Sequence, residues 1–382
     1  MEDIEQTIKS HHQIFELCLE KNITFVSYRE PNTRQIYTLI QYRRSPLKTN
    51  RLEDLLNFRG FVFAPFMYST KFPYVMIEPD IVLTGEEDDI GILEKLKEIK
   101  KQPPADLKNK NGQQPVTREL FMKRVDEIKT AIEYNTLDKL VLSRIHYEPR
   151  PRDFKMDLYF RNLNAEYPDA FVYMLCIPGL GCWSGASPEP LVNIHNHEVE
   201  TISLAGTRKY EQVPSKKSGW TAKEYEEQQL VTNYIEELLK RRQIPEYYRQ
   251  GPETQRAGNL LHLKTEFKFS LEFLKEDISR FIDELHPTPS ICGLPKEEAM
   301  LYLQQIENHQ REYYAGFLGP VNISGALSLY VNLRCMKIYT DELALYLGAG
   351  ITSGSNPGDE WEETNSKKMT LLSVIKNSKT VD

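Results

Sequence analysis

In the second part of the chain, one segment has apolar residues at the spacing of an amphipathic helix. The segment that follows it has the composition of a strand. From residue 121 the apolar residues follow one another at steps of four, three and four residues (Phe121, Val125, Ile128 and Ile132). Thr117 stands just before them and is a suitable N-cap. The next segment, DKLVLSRIHY, is apolar and rich in β-branched residues, which predicts a strand that begins near Lys139.

Helical and strand patterns alternate through the rest of the chain. FVYMLCI, ALSLYVNLRCMKIY and ELALYLGAGI predict strands, and PLVNIHNHEVETISL predicts a hairpin with HNH as its turn. Residues 222–242 and the last segment, EWEETNSKKMTLLSVIK, predict two long helices. Hairpin-like neighbours favour a mixed α+β fold over a doubly wound sheet. No strand is followed by G-x-G-x-x-G at the start of a helix.

The N-terminal part shows shorter patterns and ends in a polar stretch. Residues 1–84 alternate helix-like and strand-like pieces, and residues 85–114 predict a short helix followed by an exposed loop. We interpret that stretch as an excursion within one domain of residues 1–382. In this interpretation residues 1–114 precede a core of residues 115–378.

Composition and charge exclude several classes of protein. The chain of 382 residues is 40% hydrophobic and 27% charged, as in ordinary globular proteins, and its net charge of −7 gives no basic surface for nucleic acid. Its five scattered cysteines form no C-x-x-C pair, so we expect neither a disulfide framework nor a zinc site. The N-terminus does not resemble a signal peptide, and the most apolar stretch is too short to span a bilayer. We therefore expect a cytoplasmic protein that has no membrane contact.

Four glutamates have a spacing that suits a metal site. Glu224 and Glu227 lie on one predicted helix and Glu360 and Glu363 on another, each pair three residues apart and so on one helix face. Either pair alone is more simply a solvated acidic face. Two pairs that both align with the apolar side of their helices would be costly to bury without a cation. Mg²⁺, which binds carboxylate oxygens and retains water, would relieve that cost.

Other polar residues stand in apolar surroundings. Arg334 interrupts the apolar strand YVNLRC, and a buried guanidinium usually pairs with an anion, often a carboxylate. Considered singly, Lys139 is an ordinary surface lysine and His262 an ordinary structural histidine.

Eight ordered motifs within residues 117–378 resemble a known family. They are DKLVLSR, SGASPEPLV, SLAGTRK, the E-x-x-E helix, LHPTPSICGLP, REYYAGFLG, NLRC and LGAGITSGSNPGDEWEET. Together they resemble the chorismate-utilising enzymes, which include isochorismate synthase, salicylate synthase and the large subunit of anthranilate synthase. The resemblance implies the fold of that large subunit, with large antiparallel sheets surrounded by helices. It also implies that residues 1–114 are the family's variable part.

The resemblance implies roles for particular residues. Lys139 matches the general base that acts on water, and Glu189 matches the general acid, whose pKa should therefore be raised. Glu227 and Glu363 match Mg²⁺ ligands, supported by Glu224 and Glu360. The positions that match the chorismate pocket are Gly206, Thr207, His262, Tyr314, Arg334, Gly348, Gly350 and Lys367.

Three details indicate which reaction to expect. The resemblance associates Lys139 and LHPTP with water as the nucleophile, and Ala205 stands where aminodeoxychorismate synthase has a lysine. We expect an isomerase that converts chorismate into isochorismate with Mg²⁺ and without an obligate protein partner. Salicylate synthase, which also eliminates pyruvate, is the alternative; an anthranilate synthase-like enzyme and a non-catalytic chorismate-binding subunit are less favoured. The product would enter menaquinone or siderophore synthesis. Gln228 replaces a histidine of many relatives, and we expect it to alter hydrogen bonding around the neighbouring metal ligand.

Overall fold

The computed structural model describes residues 2–84, 89–101, 115–210, 219–257, 260–275, 277–323 and 325–377. In this part of the chain, two sheets of nine strands each form the body of the protein, and all strand pairs are antiparallel. The predicted α+β class with large antiparallel sheets is therefore confirmed.

The strands are numbered in chain order, which differs from their order across each sheet. From edge to edge, the first sheet comprises β14 (Gly293–Leu294), β7 (Lys139–Pro149), β18 (Glu342–Ile351), β17 (Cys335–Ile338), β9 (Gly181–Ser187), β8 (Phe171–Ile177), β1 (Thr24–Arg29), β2 (Ile36–Gln41) and β6 (Ile81–Leu83). The second sheet comprises β12 (Tyr248–Ala257), β13 (Leu260–Ser270), β11 (Glu198–Lys209), β10 (Pro190–His195), β16 (Ala326–Val331), β15 (Phe317–Ile323), β4 (Gly60–Ala64), β5 (Tyr74–Ile77) and β3 (Leu47–Thr49).

Helices pack against both sheets. In the described residues they are α1 (Glu2–Lys21), α2 (Glu53–Leu56), α3 (Asp89–Glu98), α4 (Arg118–Glu133), α5 (Met156–Glu166), α6 (Ala222–Arg241), α7 (Ile278–Leu285), α8 (Lys296–Ile306) and α9 (Pro357–Asn377). Apolar residues of α1, α5 and α9 form a second core cluster with the outward side chains of the first sheet. None of the helices in this part of the chain carries an apolar run of bilayer-spanning length.

The main core lies where the two sheets face each other. Tyr28 of β1 packs against Phe61 of β4 with ring centroids 5.4 Å apart, and Phe171 of β8 stacks on Tyr330 of β16 at 4.2 Å. Strands from residues 1–114 thus contribute to both sheets, because β1 pairs with β8 and β4 pairs with β15.

Most of the sequence-predicted elements occur where expected. Thr117 caps α4 by accepting a hydrogen bond from the backbone N–H of Leu120 at 3.2 Å, and β7 begins at Lys139. FVYMLCI forms β8, and the HNH turn joins β10 to β11. The polar segment after residue 84 contains α3, whereas the loop expected over residues 102–114 lies outside the described residues.

Two expectations were wrong. Arg334 does not lie within a strand, because β16 ends at Val331 and β17 begins at Cys335 in the other sheet. The crossing between sheets requires a sharp change of direction, and Arg334 has a left-handed φ of 47°. Cys176 and Cys182 form a disulfide, since the β8–β9 hairpin places them directly opposite each other. The cysteines therefore do not support the expected cytoplasmic location.

Candidate active site

Both sheets and two helices contribute side chains to one polar cavity. Strands β7 and β18 of the first sheet face β11 and β13 of the second, while α6 and α9 close one side. Eleven of the fourteen sequence-predicted site residues line it: Glu189, Gly206, Thr207, Glu227, His262, Tyr314, Arg334, Gly348, Gly350, Glu363 and Lys367. Lys139, Glu224 and Glu360 lie outside the lining.

Glu189 is a buried carboxyl group in the link between β9 and β10. Its backbone carbonyl accepts a hydrogen bond from Val331 N–H at 2.9 Å, and its side chain is held by Ser290, whose hydroxyl lies 2.6 Å from Oε1. Burial raises its pKa to about 7, although Ser290 and nearby cations act in the opposite direction. The raised pKa expected for this residue is confirmed, and the carboxyl can carry a proton near neutral pH.

Lys139 lies one layer behind the cavity surface. It is the first residue of β7 and pairs with Leu294 of β14, and its side chain is fully buried. Its ammonium group lies 2.8 Å from Oε1 of Glu227, which itself lines the cavity. Although burial alone would raise it, the pKa of Glu227 is lowered by this lysine. Lys139 is therefore linked to the cavity through the Glu227 carboxylate.

Arg334 is oriented by a histidine whose protonation state can be inferred from its contacts. Nδ1 of His262 lies 2.7 Å from the carbonyl oxygen of Gly206, and its Nε2 lies 3.3 Å from a guanidinium nitrogen of Arg334. Burial, and then Arg334, lower the pKa of His262 to about 3, so its imidazole is neutral. Nδ1 then donates to Gly206, and Nε2 accepts from Arg334. Arg334 also donates to Thr370 Oγ1 at 3.1 Å, which leaves a fixed cation in the cavity wall.

Two glycines of β18 permit close approach of other side chains. A methyl group at Gly348 would lie 2.6 Å from the hydroxyl oxygen of Tyr314, and one at Gly350 would overlap Oε1 of Glu227. The backbone carbonyl of Gly348 also accepts a hydrogen bond from Lys367 at 2.9 Å. A side chain at either position would therefore displace the Tyr314 hydroxyl or the Glu227 carboxylate.

Three of the four predicted metal ligands lie near one another, and each contacts a lysine. Glu227 contacts Lys139, Glu363 lies 2.7 Å from the Lys367 ammonium, and Glu360 lies 2.5 Å from that of Lys223. Although burial opposes it, Glu360, Glu363 and Glu227 together raise the pKa of Lys223. The field of all three carboxylates therefore converges on one ammonium group.

Glu224 has a different environment. Its carboxylate accepts hydrogen bonds from the backbone N–H of Thr221 at 2.7 Å and from Arg208 at 2.9 Å. Although burial would raise it, these hydrogen bonds lower the pKa of Glu224. The contact with Thr221 belongs to a capping box at the start of α6. The structure therefore gives Glu224 a helix-capping role.

The surroundings of the other three carboxylates bear on whether they could hold Mg²⁺. Among the described residues, no three acidic, histidine or cysteine side chains stand in a metal-binding arrangement. The Glu360 carboxyl is nevertheless only 1% exposed, and its Oε2 has no hydrogen-bond partner among the residues that the structure describes. Burial, followed by repulsion from Glu363, raises its pKa to about 7. The carboxylate oxygens of Glu227, Glu360 and Glu363 are donors of the kind that a hard cation such as Mg²⁺ prefers.

Sequence reasoning missed Ser290 and Lys223. Ser290 lies within the LHPTPSICGLP motif, but nothing local indicates that it contacts Glu189, 101 residues away. Lys223 stands one helical turn before Glu227, a spacing that could have indicated an ion near the acidic face. Gln228 was expected to act on the metal ligand, whereas its amide donates to Ser203 and Thr265 and joins α6 to the second sheet.

The fold and the site define an enzyme in which two antiparallel sheets enclose a polar cavity containing a protonatable carboxyl group and fixed cations. Residues 61–376 match the family described as "Chorismate binding enzyme". The chain belongs to this family.

Two isochorismate synthases are similar to this chain in sequence, and a solved structure is similar to it in fold. It is 29% identical over 245 residues to isochorismate synthase EntC of Escherichia coli K12, an alignment that spans 63% of this chain and 62% of that protein. It is 27% identical over 267 residues to isochorismate synthase DhbC of Bacillus subtilis, over 66% of each chain. A crystal structure of a putative 2,3-dihydroxybenzoate-specific isochorismate synthase from Bacillus anthracis shares the fold with a TM-score of 0.75, 23% identity and coverage of 95% of this chain and 99% of that one.

Proposed function

We propose that the protein is an isochorismate synthase, an isomerase that requires Mg²⁺ and converts chorismate into isochorismate. The observation that carries the proposal is the buried Glu189 carboxyl, with a pKa raised to about 7 by burial, facing the same cavity as the Arg334 guanidinium. Family membership and relatives named isochorismate synthase support the choice of substrate.

The cavity offers separate partners for the two carboxylates of chorismate. Arg334, fixed by His262 and Thr370, would pair with one of them. Glu227 and Glu363 would hold Mg²⁺, and Glu360 would support them from its buried position. When bound, the metal supplies positive charge that offsets the second carboxylate. An acidic chain could thus bind a dianion.

The reaction exchanges one hydroxyl group for another on the ring. Water adds at carbon 2, the ring double bonds shift, and the carbon-4 hydroxyl leaves. Lys139, once deprotonated, would take the proton of the incoming water, and Glu189 would give its proton to the departing hydroxyl. One proton is accepted and one is donated, so the overall change is an isomerisation. Ala205, which lines the cavity, lacks the nitrogen nucleophile of lysine-bearing relatives.

Product analysis tests the proposal directly. The purified protein is incubated with chorismate and Mg²⁺, and the products are separated by liquid chromatography. We expect isochorismate alone. Turnover should be lost in excess EDTA, and it should also be lost in the isosteric variant Glu189→Gln, which cannot donate the carboxyl proton. Isochorismate together with pyruvate and salicylate would identify a salicylate synthase instead. Absence of turnover would identify a binding protein, and full activity in chelator would overturn the metal assignment.

A further inference from the structure

Two hydroxyl groups stand in line behind the Glu189 carboxyl. Ser290 Oγ lies 2.6 Å from Glu189 Oε1, and Thr288 Oγ1 lies 2.6 Å from Ser290 Oγ. Ser290 lines the cavity, whereas Thr288 is only 2% exposed. Both distances are short for hydroxyl hydrogen bonds and indicate a continuous chain of donors and acceptors.

The loop that carries these hydroxyls is fixed by its own backbone. The N–H groups of Ile291 and Cys292 donate to the Thr288 carbonyl at 3.1 and 3.0 Å. Arg311 donates to the carbonyls of Ile291 at 2.7 Å and Val141 at 2.6 Å, which ties the loop to β7. Ser290 is therefore a preorganised contact, since little of the surrounding backbone is free to adjust.

The charged groups that face Glu189 come from three other elements. They are Lys139 of β7, Lys367 of α9 and Arg334 of the link between β16 and β17, and each stabilises the ionised carboxylate from a distance. Ser290 differs from these cations because it hydrogen-bonds directly to one carboxyl oxygen. A hydrogen bond restricts the rotation of the carboxyl group, which a distant charge does not.

We propose that Ser290, itself held by Thr288, is a positioning residue that fixes Oε1 of Glu189 and leaves Oε2 to carry the transferred proton. The inference rests on the proposed function, because it assigns a geometry to the acid of that reaction. Removal of the Ser290 hydroxyl has two consequences. The carboxyl loses its fixed orientation, and the ionised form loses a hydrogen bond that favours it.

The test compares Ser290→Ala, Ser290→Thr and Thr288→Val with the wild type. In Ser290→Ala we expect kcat for isochorismate formation to fall about tenfold, within the range of a weakened acid catalyst. The alkaline limb of the pH profile should move to higher pH, because loss of the hydrogen bond raises the pKa of Glu189 further. Ser290→Thr, which keeps the hydroxyl, should retain the wild-type kcat and pH profile. Thr288→Val should shift both in the same direction as Ser290→Ala, but by less.

An independent readout separates this inference from the proposed function. The Glu189 carboxyl carbon can be followed by NMR in protein labelled with ¹³C-glutamate and assigned by its disappearance in Glu189→Gln. Its titration should shift to higher pH in Ser290→Ala, whether or not chorismate is turned over. An unchanged titration and an unchanged pH profile would overturn the positioning role. A wild type that makes no isochorismate, combined with a shifted titration, would overturn only the proposed reaction.

Discussion

The ammonium group of Lys139 lies 2.8 Å from Oε1 of Glu227, and the lysine side chain has no exposed surface. The proposed base and a proposed metal ligand are therefore direct neighbours. Removing either charge leaves the other without its nearest partner, which is costly in a buried site. The two residues are best probed with variants that separate charge from shape.

Lys139→Ala should abolish turnover while sparing substrate binding. A general base contributes roughly 10²–10⁴-fold to rate, so we expect kcat to fall by at least about 100-fold. The Kd of chorismate, measured by calorimetry, should change little, because Arg334 still lines the cavity and can pair with a carboxylate of chorismate. Lys139→Met, which preserves the aliphatic stem, controls for the space left by the alanine. A near-normal rate in either variant would remove Lys139 from the mechanism.

Glu189 should make the protein less stable as the pH rises. Its pKa is raised from 4.5 to about 7 in the folded chain, so its contribution to stability is fully present below pH 4.5 and is lost as pH rises through about 7. The loss is on the order of 3 kcal/mol. Glu189→Gln has no such titration. The difference in unfolding free energy between variant and wild type, from denaturant curves at pH 5 and pH 8, should therefore favour the variant more at pH 8. An equal difference at both values would contradict the raised pKa.

Local sequence patterns predicted those elements whose shape is determined locally. The apolar period between Phe121 and Ile132 places one face of α4 on the core, and Thr117 supplies the cap for its first turn. Eleven of the fourteen predicted site residues line one cavity because the motifs of the family occupy strand ends and helix faces that meet there.

Other features depend on contacts between distant parts of the chain. The apolar residues around Arg334 have strand composition, but the crossing from one sheet to the other imposes a left-handed residue there. Helical spacing placed Glu224 on the same face as Glu227. Its carboxylate nevertheless accepts hydrogen bonds from Arg208 and from the backbone N–H of Thr221 at the start of α6. Ser290 contacts Glu189 only through the fold.

The two glutamates of α6 should differ in their effect on Mg²⁺ binding. Glu227→Gln should weaken binding by more than about 100-fold, since the effect of a ligand exceeds that of its supporting residues. Glu224→Gln should leave the Mg²⁺ Kd nearly unchanged and lower stability by only about 0.5 kcal/mol, through loss of the ion pair with Arg208, because glutamine can keep the capping box. Calorimetric titration with Mg²⁺ and denaturant unfolding measure the two effects separately. A large loss of Mg²⁺ affinity in Glu224→Gln would show that Glu224 is a ligand after all.

Lys223 should compete with the metal for the same carboxylates. Its ammonium contacts Glu360 and is stabilised by Glu363 and Glu227, so it would repel a second cation placed among them. Lys223→Met should therefore tighten Mg²⁺ binding by roughly 1 kcal/mol, about fivefold in Kd. Lys240→Met on the exposed end of the same helix is the matched control and should have no effect. Weaker Mg²⁺ binding in Lys223→Met would mean that this lysine supports the site.

Gly348 should be intolerant of any side chain because of one particular neighbour. Its added methyl group would lie 2.6 Å from the Tyr314 hydroxyl oxygen, so Gly348→Ala should lower the free energy of unfolding by about 1–3 kcal/mol. Tyr314→Phe removes that oxygen, and the double variant Gly348→Ala/Tyr314→Phe should lose less stability than the sum of the single variants. Gly354→Ala, whose methyl would meet Lys223 Cγ only at 3.9 Å, is the control and should be nearly neutral. Strict additivity of the two single variants would show that the strain lies elsewhere in the cavity wall.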